Sequence, residues 1–343
     1  MSAVAQKENE LGNKTLVISH EGESGPSKVE ALKATEWRVT TSYLSRGKDR
    51  GDNREHNQDA VSVKKWKGDN GEFAVSMVVL DGVSAVDGEK AAQQAKEQVS
   101  KVEGTILTLH ERAAQAILDN LNNLAYEANK DIQNERDKQY ATAAIAIIRG
   151  ERNPETNEVT PVIDFANIGD VRIYVLREGK VICLTRDDIK IFRYGVQNLL
   201  DTDAIKIQQQ IMNESNLSNL PKELQFYAFH PEIHHVSASL GMSTSTPKHE
   251  NHSFSLQDGD LVLNMVDGAH CVSSDEIAVI WRQSLRDPST FNVRLLSYIE
   301  QRNESFPKNN PGIVNPRITP DDRTLAVALI SKVKEQKPSN NGV

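Results

Sequence analysis

Cysteine is scarce in this 343-residue chain, and membrane-length apolar runs and basic clusters are lacking altogether. The two thiols, Cys183 and Cys271, stand far apart without metal-type spacing. A reduced, cytoplasmic protein is the expectation that follows. No apolar stretch approaches the roughly 20 residues of a membrane span, so no membrane partner is expected. The N-terminus, MSAVAQKENELGNK, lacks the basic-then-apolar order of a secretory signal. With 48 acidic residues against 40 basic ones the net charge is −8. Without a basic helix face, that balance argues against a nucleic-acid partner.

What is present is an ordinary globular composition, 38% hydrophobic and 26% charged. Residues 1–35 are polar and sparsely apolar and read as a mobile lead-in; residues 333–343 read as a tail. No repeat or linker interrupts residues 36–332, so one domain is expected. Short β-branched runs bounded by Gly, Asp or Asn predict nine strands: EWRVTTSYL, DAVSVKKW, FAVSMVVLD, ATAAIAIIRG, PVIDFANIG, RIYVLREG, KVICLT, DLVLNMVDG and TLAVALIS. REGK at 177–180 predicts a hairpin turn in which Gly179 takes positive φ. Apolar residues at three- and four-residue spacing predict two helices within 88–135, with the face Ala91, Ala95, Val99, Val102 turned to the core. A further helix is expected after Ser273-Ser274, capped by Ser274. Strands flanking a helical hairpin without β-α-β alternation indicate α+β, sheet packed on sheet with helices outside. Residues 189–235 are polar, partly helical and long for a connection, as lids are.

Three apolar strands stop on an acid: VVLDG at Asp81-Gly82, FANIGD at Asp170 and LVLNMVDG at Asp267. Asp59 and the pair Asp321-Asp322 stand just before two other strands. An Asp-Gly after a strand is most often only a turn. If several such ends meet on one sheet edge, the carboxylates repel unless a cation sits among them, and oxygen ligands suit Mg²⁺ or Mn²⁺. Neither DGVSAVDG nor DGAHCVSSDEI has the ligand spacing of a calcium loop.

The ordered series REHNQDA (54–60), VVLDG (78–82), YATAA (140–144), ANIGDVR (166–172), LTRDD (184–188), SLG (239–241), DGDLVLNMVDG (258–268) and DDRTLAV (321–327) resembles the type-2C, metal-dependent Ser/Thr protein phosphatases, the PPM type, in a divergent, bacterial-like form. The resemblance implies a four-layer αββα sandwich of two antiparallel sheets flanked by helices, with the variable flap at 189–235. It implies a monomer that acts on phosphorylated protein substrates, with two Mn²⁺ or Mg²⁺ ions activating a water for in-line attack. Under it, Asp81 bridges both metals, the Gly82 carbonyl binds one, and Asp267 and Asp321 complete the first metal's ligands. Asp322 supports them, Asp59 positions metal-bound waters, Arg54 grips the substrate phosphate, and Asp170 serves a weaker third ion.

The departures from the family are equally specific. Gln58 stands where relatives carry Glu, which withholds a charge from the second metal. Val83 stands where animal members carry a histidine that can serve as an acid; bacterial-type members also lack that histidine. Cys271 replaces an Asp of the third-metal site and puts that ion in doubt; by itself it reads as a small buried side chain. His270 reads as a polar residue near the site rather than a proton donor. His234, His235, His249 and His252 read as loop histidines without partners, and Trp37 and Trp66 as sheet-packing aromatics. Gln58 and Cys271 also leave open a catalytically weak or inactive scaffold that keeps the fold and binds partners.

Overall fold

The computed structural model describes residues 7–8, 14–18, 37–46, 57–67, 73–83, 88–106, 112–134, 137–156, 158–194, 200–230, 235–309 and 322–332. Arg54, Asp321 and His234 lie outside them.

The central strand of the second sheet shows why the sheets bury both faces. In β5 (Phe73–Gly82), Val75, Met77 and Val79 point into one apolar cluster while Val78 and Leu80 point into another. A strand covered on both sides has no polar face to show, hence the continuous apolar run. Around it stand β4 (Ala60–Lys67), β6 (Ala141–Arg152), β7 (Val159–Ile168) and β10 (Ser253–Ser255), in the order β10-β7-β6-β5-β4.

The first sheet holds β3 (Trp37–Arg46), β8 (Arg172–Arg177), β9 (Lys180–Cys183), β11 (Leu261–Met265) and β12 (Arg323–Lys332), in the order β3-β12-β11-β8-β9. All strand pairs are antiparallel. The expected lead-in contributes two further strands, β1 (Lys7–Glu8) and β2 (Lys14–Ile18), which extend the β3 edge through Leu16↔Tyr43. The turn between β8 and β9 has both Glu178 (φ 51) and Gly179 (φ 80) in the left-handed region, as a two-residue hairpin requires.

The sheets meet through Met77, Ala144 and Ile163 on one side and Val175, Val262 and Ala326 on the other. Helices α1 (Gly88–Ile106) and α2 (Ala113–Asn129) cover the second sheet, packing Val99, Ile117 and Leu118 against Leu80 and Ile145. Helices α6 (Ser274–Gln283) and α7 (Pro288–Asn309) cover the first with Ile277, Trp281, Phe291 and Leu295. The result is the four-layer αββα order. The cap of α6 is Ser273, not the expected Ser274: Ser273 Oγ accepts from Glu276 N–H while the Glu276 carboxylate accepts from Ser273 N–H at 2.7 Å. The 189–235 segment forms α3 (Lys190–Tyr194), α4 (Asp201–Asn213) and α5 (Lys222–Ala228). Trp37 packs at the sheet edge and donates its indole N–H to Val159 O; the Trp66 side chain lies outside the described residues. No helix among the described residues is long and apolar enough to cross a membrane.

Candidate functional site

Antiparallel register decides which strand ends meet. Met265 of β11 pairs with both Arg172 of β8 and Leu325 of β12. Continuing those ladders past Met265 brings Asp267 opposite Asp170 on one side and beside the start of β12 on the other. There Val266 N–H donates to Thr324 O at 3.3 Å, and Asp267 opens a short 3₁₀ turn closed by His270 N–H on Asp267 O. The meeting of Asp170 and Asp267 is also electrostatic. Burial raises the Asp170 carboxyl well above the usual carboxylate range, and the charges of Asp267 and then Asp187 raise it further, against the pull of Arg172.

The second sheet delivers its acid to the same end of the sandwich. Asp81 pairs with Thr142 and Gly82 with Ala141 at the last rungs of β5 and β6. Gly82 N–H donates to Gln58 O at 3.1 Å, and Gln58 N–H donates in turn to Asp322 Oδ2 at 2.6 Å. The same crossing runs through side chains: Asn57 Nδ2 donates to Ser45 Oγ, which shares a hydrogen bond with Thr324 Oγ1, each at 2.6 Å. Asp59 and Asp322 are both buried, at 2% exposure. Gly82 has no room for a side chain, since an added Cβ would sit 2.3 Å from the backbone of Gly88 at the start of α1. The tight packing of strand end on helix start fixes where the Gly82 carbonyl and the Asp81 carboxylate emerge.

Gln58, Asp59, Asp81, Gly82, Asp170, Asp267 and Asp322 thus sit at strand ends along one end of the sandwich. Among the described residues no three His, Cys, Asp or Glu side chains close around a single metal position; Asp321 is not among those residues. Cys271 is 1% exposed, with burial pushing its thiol up to about 11, so it is an inert packing residue as expected.

Behind this edge lies a polar network that sequence reasoning missed. Arg172 donates to both oxygens of Asp187, through Nε at 2.8 Å and Nη2 at 2.6 Å. Gln208 of α4 then brackets Asp187 by donating to its Oδ1 at 2.8 Å and accepting from its backbone N–H at 3.0 Å. Arg186 Nη1 donates to Asp201 Oδ1 at 2.7 Å. His249 corrects the reading of a loop histidine without partners. Its Nδ1 stands 3.4 Å from Asp201 Oδ2 and its Nε2 3.6 Å from Asp188 Oδ2, with the side chain 11% exposed. Burial works to lower its pKa, but the two carboxylates more than offset that and hold it at about 9. Asp188 also accepts from Gly169 N–H at 3.2 Å, beside Asp170. The LTRDD run carried the only signal for this hub; its partners Asp201 and Gln208 lie on α4, and His249 stands 63 residues after Arg186. His235 is exposed and His252 half-buried, as expected of loop positions.

The sequence pattern of the family described as protein phosphatase 2C matches residues 46–292, well over half of the chain. A serine/threonine phosphatase of S. agalactiae superposes with a TM-score of 0.57 at 18% identity, covering 85% of this chain and 99% of that one. The Mycobacterium tuberculosis serine/threonine phosphatase PstP/Ppp gives 0.54 at 17%, covering 85% and 99%. The catalytic domain of PstP in complex with two manganese ions gives 0.53 at 17%, covering 87% and 100%. At these identities the likeness shows the fold. No curated protein matches the chain.

Proposed function

Because the chain belongs to the protein phosphatase 2C family, we propose that it hydrolyses phosphoserine and phosphothreonine esters of protein substrates with the help of Mg²⁺ or Mn²⁺. The observation that carries this reading is the placement of Asp170 against Asp267. The buried Asp170 carboxyl and the half-buried Asp267 carboxylate carry like charge at adjoining strand ends, and burial and that charge together disfavour ionisation of Asp170. A hard divalent cation offsets such repulsion, and every candidate donor at this edge is an oxygen, so the residues fit the group. When bound, two such ions lower the pKa of a water and offset phosphate charge.

The chain's own residues divide the remaining work. Asp81 and the Gly82 carbonyl would hold ions at the β5 end, Asp267 and Asp321 at the other sheet, and Asp170 a further ion. Asp322 orients Gln58 by accepting its backbone N–H, and the Gln58 amide adds a neutral oxygen. Buried Asp59 orients waters. Arg54 grips the phosphate with its planar guanidinium. Val83 offers no proton to the leaving alkoxide, so that proton comes from solvent.

A partner-binding scaffold is the second reading, favoured by Gln58 and by the buried, protonated Cys271. Hydrolysis of an aryl phosphate by the full chain with Mn²⁺, with EDTA, and by Asp81→Ala separates the two. The phosphatase reading expects turnover with Mn²⁺ and at least a hundredfold loss in the other two arms, about the cost of removing a main electrostatic group. Turnover that survives EDTA or the substitution ends the metal assignment, and absence of turnover with Mn²⁺ bound supports the scaffold.

A further inference from the structure

Beside the acidic edge, between the Arg186–Asp188 loop and the 237–249 segment, opens a cleft of about 320 Å³. Ile168 of its lining lies two residues before Asp170, and Asp188, also in the lining, accepts from Gly169 N–H at 3.2 Å. Gly169, just before Asp170, lies so close to Thr142 that an added Cβ would stand 2.3 Å from its Cγ2, and Thr142 is the partner of Asp81 in the β ladder. The size suits a small group or one side chain of a larger ligand.

The chemistry of the lining is lopsided. Asp201 already accepts from Arg186 Nη1 at 2.7 Å and from Glu250 N–H at 2.8 Å, and Asp188 accepts from Gly169 N–H. The carboxylates are therefore engaged. The unmet hydrogen-bonding capacity lies largely in groups able to donate. Ser239 Oγ, in a residue 1% exposed, and Arg186 Nε have no hydrogen-bond partner among the described residues. His249 Nε2 stands 3.6 Å from Asp188, beyond hydrogen-bond reach. Lys248 adds an exposed ammonium at the mouth. Buried donors left unmet cost free energy, so the ligand that suits the cleft brings several acceptor oxygens and negative charge.

We infer that this cleft is a second oxyanion subsite, which takes a phosphate group carried on the substrate chain next to the phosphorylated residue in the main site. The occupant rests on the phosphatase reading; the subsite itself rests only on Ser239, Arg186, His249 and Lys248. Ser239 and Arg186 bind the oxygens inside, and Lys248 selects for charge at the rim.

Inorganic phosphate titrated by calorimetry onto the full chain in EDTA tests the subsite without any turnover. Wild type and Asp81→Ala should bind alike, whereas Ser239→Ala and Lys248→Glu should bind about tenfold more weakly, the worth of one charge-assisted hydrogen bond. Equal binding by wild type and both of these variants overturns the subsite. With Mn²⁺, Lys248→Glu should hydrolyse an aryl phosphate at the wild-type rate. It should also lose a KM preference, about tenfold in wild type, for a peptide bearing two neighbouring phosphates over one bearing a single phosphate. Phosphate binding without that preference would make free phosphate the occupant and overturn the substrate-borne part. Absence of turnover in every arm would remove the phosphatase reading, with the calorimetry still deciding the subsite.

Discussion

The backbone N–H of Gln58 donates to Asp322 Oδ2 at 2.6 Å, joining the entrance of β4 in one sheet to the entrance of β12 in the other. With Gly82 N–H on Gln58 O, this makes a two-bond bridge from Asp322 to the end of β5. The acids of one sheet are thereby held against those of the other.

Asp322→Ala removes the buried acceptor and should cost about 1–3 kcal/mol of stability. Asp322→Asn keeps one acceptor oxygen and should recover much of that loss. Urea unfolding of both variants checks the order, and a midpoint for the alanine variant equal to wild type would show that the bridge is dispensable.

Gly82→Ala should be costly for another reason. The new methyl would overlap the backbone of Gly88, which has no flexible end to swing aside. Overpacking of this kind costs roughly 1–3 kcal/mol, and relief requires α1 to move off β5, which displaces Asp81. The expected result is a lower urea midpoint together with weaker Mn²⁺ binding by calorimetry. A variant with wild-type values for both would mean that the helix start yields without consequence.

The strands and the strand-end acids were legible because each is a local pattern: an apolar β-branched run that stops at Asp or Gly. The α+β class, sheet on sheet with helices outside, followed from the order of strands and helices, whereas the four-layer αββα form with two antiparallel sheets came from the family resemblance. The short β10 pairs only three residues, too few to show a period. Helix α7 was readable in principle, since Phe291, Leu295 and Ile299 fall on one buried face at four-residue spacing. The capping box was equally present, because Glu276 lies three residues after Ser273 and not after Ser274. His249 was different in kind. Its partners Asp188 and Asp201 sit in remote segments, and no local pattern announces a pairing that tertiary folding alone creates.

Replacing Gln58 with Glu returns a carboxylate to the position where the family resemblance places one. The added charge should tighten Mn²⁺ binding by about tenfold, since ligand charge count sets affinity for hard cations. The backbone bonds of residue 58 to Asp322 and Gly82 do not involve its side chain, so folding should be unaffected. Unchanged Mn²⁺ affinity, with folding intact, would place the side chain of residue 58 outside the metal site.

His249 ties α4 to the loop beside Asp170, and that tie should depend on pH. Its pKa is raised from 6.5 to about 9 in the folded chain, because Asp188 and Asp201 favour the imidazolium more strongly than burial disfavours it. A raised pKa means that the folded state holds the proton more tightly than the unfolded state. The stabilisation is therefore complete below pH 6.5 and fades as pH rises to about 9, by roughly 2–3 kcal/mol. Asp201 behaves oppositely: chiefly through His249, its carboxyl is held well below the usual range, so its contribution is present at neutral pH and is lost only in strong acid. The two effects occupy separate windows, which allows the histidine to be isolated. The urea midpoint of wild type should fall between pH 6.5 and pH 9, and His249→Gln should flatten that fall while lowering the midpoint at pH 6.5. A wild-type midpoint that does not fall across this window would mean that His249 is not held as an imidazolium between the two carboxylates.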